Sequence, residues 1–216
     1  MGSARPGFFI SVEGIDGSGK STQARGLAER LEQLGERVTA ARDPGSTALG
    51  ERVRALLLTD SSGPPTAPLA EVALFLAARV QLLHEVIDPA LSRGEVVVCD
   101  RFIDSTLAYQ GFGRGVSQDT LLKLHQLVGA DRLPDLTLVL DLAVSTAQGR
   151  TAPERPRDRM EAEPTAYHEQ VRQGYLALAP AFPERVVVLP ADLPLGQLAE
   201  ACWGVVQGRL TARRAT

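Results

Sequence analysis

Gly14-Ile15-Asp16-Gly17-Ser18-Gly19-Lys20-Ser21 fits the pattern G-x-x-x-x-G-K-[ST] at every fixed position. No other feature of the chain constrains its fold as much, because this pattern works only as a turn between a strand and a helix. The glycines let backbone amides turn inward around phosphate oxygens, and the helix N-terminus adds its partial positive charge. The flanks agree. Phe8 to Val12 is a short apolar run, and Ala24, Leu27, Leu31 and Leu34 recur at helical spacing up to Gly35, a residue suited to closing a helix. Lys20 is then placed to reach the β- and γ-phosphates of a nucleoside triphosphate, with the Ser21 hydroxyl on Mg²⁺. A chance glycine-rich turn with an exposed lysine would not bring both flanks with it. Lys20 and Lys123 are also the only lysines among 23 basic residues, so a chain that otherwise uses arginine keeps a lysine here.

The remainder alternates strand and helix. Val38 to Arg42 reads as a strand, Leu49 to Leu58 as a short helix, and Thr59 to Pro68, rich in Ser, Gly and Pro, as a loop. A long helix is expected from about Leu69 to Leu91, disturbed at Pro89. Glu95 to Cys99, Leu136 to Leu142 and Val186 to Leu189 complete about five apolar strands. Apolar strands separated by helices indicate a parallel sheet covered on both faces. The expected class is therefore α/β: a P-loop NTPase three-layer α/β/α fold, one domain over residues 1–216, with ligands at the carboxyl ends of the strands. The long helix carries Val72, Leu76, Val80 and Leu83, enough apolar positions for either deep core or an interface. The helix around Trp203 reads as C-terminal packing, and residues 209–216, with Arg213-Arg214, as a disordered tail.

A formal net charge of −3 leaves no overall basic field for a polyanion, so nucleic acid is not an expected partner and any anion must be captured locally. Cys99 and Cys202 make no disulfide framework, and Cys99 ends an apolar run as a small buried thiol would. No basic-then-apolar leader opens the chain, Pro6 stands where a myristoylation signal at Gly2 needs Ser or Thr, and no apolar run nears the ~20 residues of a membrane span. These readings place the protein in the cytoplasm, away from membranes.

Which phosphate-binding class this is depends on the other strand ends. The chain has no asparagine, so the Asn-Lys-x-Asp element of guanine-specific GTPases cannot exist. After Val96-Val97-Val98-Cys99 comes Asp100-Arg101-Phe102-Ile103-Asp104-Ser105-Thr106-Leu107-Ala108-Tyr109-Gln110. Asp100 can hold Mg²⁺ or its water shell, and Arg101 can bridge the phosphates of two bound nucleotides; the plainer alternative is a surface ion pair. Phe75 and Arg79 are four apart and share a helix face. Periodicity alone would make them a core Phe beside a solvent Arg.

Together the cradle and the segment Asp100 to Gln110 resemble the thymidylate kinase family. Arg42-Asp43-Pro44-Gly45-Ser46-Thr47 is similar to that family's Arg-Glu-Pro-Gly-Gly-Thr turn, with Asp43 and Ser46 as departures, and Leu74 to Leu82 to its base-binding helix. The resemblance runs from Phe9 to about Tyr175. It implies transfer of the γ-phosphate of ATP to dTMP, Mg²⁺ as cofactor, and a homodimer. ATP would lie on residues 14–22, Thr22 included. For dTMP it implies Phe75 stacking on the base, Arg79 on a base carbonyl, Thr106 at the base edge assisted by Gln110, and Tyr109 against the sugar. Asp16 would approach the 3′-hydroxyl, and Arg54 and Arg101 the 5′-phosphate, with Arg42 a weaker candidate. Ser21 and Asp100 would serve the metal. The arginine-rich stretch Gly149 to Arg159 is similar to the family's mobile lid, residues 149–160 here. The family's catalytic arginine comes from cradle or lid, and the cradle has none, which implies the bacterial type with the arginine in the lid. Lys20, Arg101, Arg155 and Arg157 are the catalytic candidates, with Arg150 and Arg159 as braces. Two alternatives remain: another nucleotide or deoxynucleoside kinase, for which Glu13 could act as base, and a non-catalytic ATP-binding regulatory module. Strictness for dTMP over dUMP also stays open, since one methyl discriminates by only ~1–3 kcal/mol.

Overall fold

A computed structural model describes residues 6–59, 66–150 and 158–214, the side chain of residue 214 excepted. Five strands form one parallel sheet: β1 (Phe8–Glu13), β2 (Val38–Arg42), β3 (Val96–Asp100), β4 (Leu136–Asp141) and β5 (Val186–Pro190), in the order β2-β3-β1-β4-β5. All six residues of β1 are buried, and Val96 to Cys99 of β3 likewise, as expected of strands covered on both faces. Helix α1 (Lys20–Gln33) follows the glycine-rich turn and buries Ala24, Leu27, Ala28 and Leu31. Helix α2 (Ala48–Leu58) is capped by Thr47, whose hydroxyl accepts from the Gly50 amide at 2.9 Å.

Sheet register sets up the site. Val12 pairs with Asp100, and Asp100 with Arg42, so the carboxyl ends of β1, β3 and β2 finish in one row. Asp43, Arg101 and Glu13 thereby become neighbours although they are far apart in sequence. The Arg101 amide donates to the Val12 carbonyl at 3.0 Å, and the Asp43 amide to the Asp100 carbonyl at 3.1 Å.

The expected long helix is three pieces: α3 (Pro68–Leu82), a wide π turn (Leu83–Ile87) and α4 (Asp88–Ser92). Pro89 has no amide to donate and its ring crowds the preceding turn, so the break falls just before it. Val72, Leu76, Leu83 and, in part, Val80 pack into this chain's own core. A small second cluster of Val53, Leu57 and Ala78 joins α2 to α3, and Phe75 packs against it. Helix α5 (Ile103–Thr106) runs into another π turn (Leu107–Gly113), a form that recurs at functional sites. Three further helices close the chain's layers: α6 (Gln118–Leu127), α7 (Val144–Arg150) and α8 (Thr165–Ala181).

The disordered tail is corrected for residues 209–214. Helix α9 (Leu195–Arg214) continues through them, because Arg213 donates to the Gly7 carbonyl at 2.8 Å and lies over the Phe8 ring, tying it to the start of β1. Cys99 and Cys202 are buried free thiols. Among the described residues no helix is long and apolar enough to cross a membrane.

Candidate active site

Gly14, Gly17 and Gly19 of the cradle all have positive φ, which side chains with a Cβ resist. At Gly17 the space is closed as well, since a Cβ would stand 2.6 Å from the Ala147 carbonyl of α7. Lys20 is buried and donates from Nζ to the Ile15 carbonyl at 3.1 Å and to Asp16 Oδ1 at 3.0 Å. Burial, then the Arg101 charge, pushes its pKa down. Ser21 Oγ donates to Asp100 Oδ2 at 2.5 Å, while the buried Asp100 Oδ1 has no partner among the described residues. An orphaned carboxylate oxygen beside a hydroxyl suits a hard cation. No group of three or more His, Cys, Asp or Glu that could hold a metal occurs among the described residues. A cation here would therefore take most of its ligands from phosphate and water, as Mg²⁺ does.

Arg101 links this cradle to a second site. Its φ of 68° is left-handed, a conformation costing a non-glycine residue about 1–2 kcal/mol, and it swings the side chain back over the turn. Nη2 reaches Asp16 Oδ1 at 2.5 Å and Tyr109 Oη at 3.0 Å; Nη1 reaches the Gly14 carbonyl, Ser105 Oγ and Tyr175 Oη at 3.1–3.2 Å. Tyr109 Oη in turn donates to Asp16 Oδ2 at 3.1 Å. Burial raises the Asp16 pKa, but Lys20 and Arg101 outweigh it and hold the carboxyl well below the usual range.

Beyond Arg101 opens a cavity of about 500 Å³, its mouth included. Its lining brings together Asp16, Arg54, Phe75, Arg79, Arg101, Thr106, Tyr109 and Gln110, all eight residues expected at one nucleotide. Asp43, Pro44, Leu58, Ser105, Asp158 and Met160 complete it. At the cradle end, Arg54 donates to the Pro44 carbonyl at 3.2 Å. Its pKa is pushed down by burial, then by Arg42 and Arg101. Converging cations of this kind repel one another until an anion joins them. Arg42 is less available, being held by Glu51 at 2.9 and 3.1 Å.

At the far end Phe75 offers a half-buried ring and Arg79 is buried with 1% exposure. The solvent-facing alternative for Arg79 is thereby excluded, and protein partners hold its guanidinium on both edges. Nε and Nη2 both lie 2.6 Å from Asp43 Oδ2, Nη1 donates to Thr106 Oγ1 at 3.0 Å and to His125 Nε2 at 2.5 Å, and Nη2 donates to the Phe102 carbonyl at 3.2 Å. Asp43, the departure from the family turn, is thus the counter-ion of Arg79. Gln110 gives Nε2 to the buried Glu71 at 2.8 Å, leaving its carbonyl oxygen as an acceptor. Glu71 also accepts from Arg159 at 2.6 Å.

Arg155 and Arg157 lie outside the described residues. Their flanks are anchored: Arg150 donates to the Ala191 carbonyl at 3.0 Å, and Arg159 to the Leu57 carbonyl at 2.9 Å. Sequence reading missed His125, Glu71, Ser105 and Tyr175, which meet Arg79, Gln110 and Glu13 across 39 or more residues, so no local pattern marks them. Glu13, the candidate base for a nucleoside acceptor, does not line the cavity. It is fully buried and accepts from the Phe102 amide, Ser105 Oγ and Tyr175 Oη at 2.6–3.0 Å. Burial, then Asp104, pushes it up to about 7.

A family model described as thymidylate kinase matches residues 12–201. Among relatives, a thymidylate kinase of Geobacter sp. (strain M21) is 47% identical over 189 residues, covering 85% of this chain and 84% of its own length. One of Synechococcus sp. (strain JA-2-3B'a(2-13)) is 46% identical over 203 residues, covering 94% of this chain and 96% of its own. Among solved structures, the crystal structure of thymidylate kinase from Ehrlichia chaffeensis superposes with a TM-score of 0.75 at 32% identity, covering 93% of this chain and 99% of that one.

Proposed function

The chain belongs to the thymidylate kinase family, and from that premise we propose how its two adjoining sites transfer the γ-phosphate of ATP to dTMP, giving dTDP and ADP. The observation that carries the reading is the cavity itself. It has Arg54 and Arg101 at the end beside the cradle and an aromatic face with a polar edge at the other. A nucleotide has the same polarity, anionic at one end and flat and hydrogen-bonding at the other.

ATP lies on residues 14–22 with its phosphates on the backbone amides and Lys20. Mg²⁺ held through Ser21 and Asp100 supplies charge neutralisation on the phosphate oxygens. The acceptor is already an anion, so no general base is needed. What limits the reaction is repulsion between two anions and their alignment. Arg54 and Arg101 offset that repulsion, with Arg155 and Arg157 as the catalytic arginines brought from the 149–160 lid. Asp16 receives the 3′-hydroxyl, and the Tyr109 ring, its hydroxyl fixed by Arg101 and Asp16, closes the space a 2′-hydroxyl would need.

Phe75 stacks on the base. Because Arg79 donates to Thr106 Oγ1, the Thr106 proton is turned away from the guanidinium and can be given to a C4 carbonyl. The Gln110 carbonyl takes the N3 proton. The buried Arg79 charge favours a carbonyl over an amino group at the same place. A deoxynucleoside kinase has no comparable support, since Glu13 lies outside the cavity lining and is held by three donors behind Arg101. Action as a single kinase domain, as a homodimer and in the cytoplasm completes the reading, supported by family membership.

The test is Phe75→Ala. Loss of a stacking face costs about 1–3 kcal/mol, so KM for dTMP rises about 5- to 150-fold while KM for ATP stays unchanged. A raised KM for ATP with dTMP unaffected would reverse the assignment of the cavity.

A further inference from the structure

Three elements meet around the Arg79 guanidinium: α3, which carries it, α5 with Thr106, and α6 with His125. His125 is fully buried. Arginine can only donate, so His125 Nε2, 2.5 Å from Nη1, must present its lone pair. Nδ1 then carries the proton and donates to the Leu121 carbonyl at 2.7 Å. The tautomer is set by its two partners. Burial, then the Arg79 charge, pushes the imidazole down to about 4, so at neutral pH it stays an acceptor.

We propose that His125 is a positioning residue for acceptor-base selection: it takes one Nη1 proton of Arg79 and so aims the other at Thr106, turning the Thr106 proton toward the base. This rests on reading the Phe75–Thr106 end of the cavity as the base site. Asp43 and the Phe102 carbonyl hold the opposite edge of the guanidinium, so with His125 in place both edges are anchored and the group does not swivel. Without His125 one Nη1 proton is left buried and unpaired. The guanidinium then turns to find a partner, and the Thr106 proton is no longer held away from it. A cytosine amino group, disfavoured where the Thr106 proton and the Arg79 charge face it, then finds the Thr106 oxygen more open as an acceptor.

The experiment compares wild type with His125→Ala, His125→Gln and Thr106→Val, measuring kcat and KM for dTMP, dUMP and dCMP, KM for ATP, and melting temperature. His125→Ala is expected to raise KM for dTMP about tenfold and to narrow the dTMP:dCMP ratio of kcat/KM about tenfold. The dTMP:dUMP ratio, KM for ATP and kcat for saturating dTMP should change little. His125→Gln, which returns a neutral acceptor near the Nε2 position, should restore most of the discrimination. A purely structural histidine would lower the melting temperature and leave the dTMP:dCMP ratio where it was, which overturns the proposal. If Thr106→Val also leaves that ratio intact, the base-site reading itself fails; if Thr106→Val collapses it and His125→Ala does not, only the role of His125 fails. Should the His125 variants not fold, ¹⁵N spectra of the wild-type imidazole decide. A neutral Nδ1–H tautomer retained when dTMP saturates the protein is expected, and an Nε2–H or doubly protonated ring at neutral pH overturns the proposal.

Discussion

Asp43→Ala is the substitution whose consequence follows most directly from the geometry. Asp43 and Arg79 face each other with side-chain exposures of 0% and 1% and an N–O distance of 2.6 Å. Burial, opposed by Arg79, already pushes the Asp43 carboxyl above its ordinary pKa, so the pair gains little over two apolar groups of the same volume. Removing one partner is another matter. The Arg79 charge stays buried, its Nε loses its acceptor and its Nη2 the carboxylate 2.6 Å away. Breaking a buried pair in this way costs about 3–5 kcal/mol. For a chain of this size each kcal/mol lowers the melting temperature by about 2–4 °C, so a fall of about 6–20 °C is expected. Thermal and urea denaturation of Asp43→Ala, Arg79→Met and the double variant give the full cycle. The double variant carries no stranded charge and should recover much of the stability lost in Asp43→Ala. Its activity should not recover, because the edge proposed to read the base is gone. A melting temperature for Asp43→Ala within about 2 °C of wild type, or a double variant no more stable than the single one, would refute the reasoning.

Gly17→Ala places a Cβ at φ 82° and 2.6 Å from a backbone carbonyl of α7, so affinity for ATP should fall at least about tenfold by titration while dTMP affinity holds. Glu13 is raised from 4.5 to about 7 in the fold, so its favourable contribution is full below pH 4.5 and is lost as pH rises to about 7. Glu13→Gln should therefore gain ~3 kcal/mol relative to wild type across that window in urea midpoints, and a pH-independent difference would contradict the shift. Chelating Mg²⁺ should abolish transfer, and Ser21→Ala, which removes the hydroxyl beside Asp100, should need about tenfold more Mg²⁺ for half-maximal rate.

Legibility in the sequence followed the range of each interaction. The cradle, its strand and its helix are read within about twenty-five residues, and the structure places them there. The break before Pro89 was also visible, because proline's missing amide acts locally. Strand order was not: the pairing of Asp100 with both Val12 and Arg42, which makes Asp43, Arg101 and Glu13 neighbours, is a property of register. Arg79 shows the limit most clearly. Its helix position suggested solvent unless a resemblance said otherwise, because the residues that make its burial tolerable, Asp43 and His125, lie 36 and 46 positions away. The left-handed backbone at Arg101 has no residue signature, and the helical end of the chain depends on Arg213 finding Gly7 and Phe8. A chain terminus with no visible partner in the sequence reads as a loose tail.

On the function proposed above, this cavity holds a thymine deoxynucleotide with its phosphate toward the cradle. A coupled ADP-release assay with ATP and Mg²⁺, offering dTMP, dUMP, dCMP, UMP and thymidine in parallel, tests it most directly. Turnover that prefers dTMP and rejects dCMP, UMP and thymidine is predicted. Turnover with thymidine alone would contradict the roles of Arg54 and Arg101, and ATP binding without use of any acceptor would contradict the claim entirely.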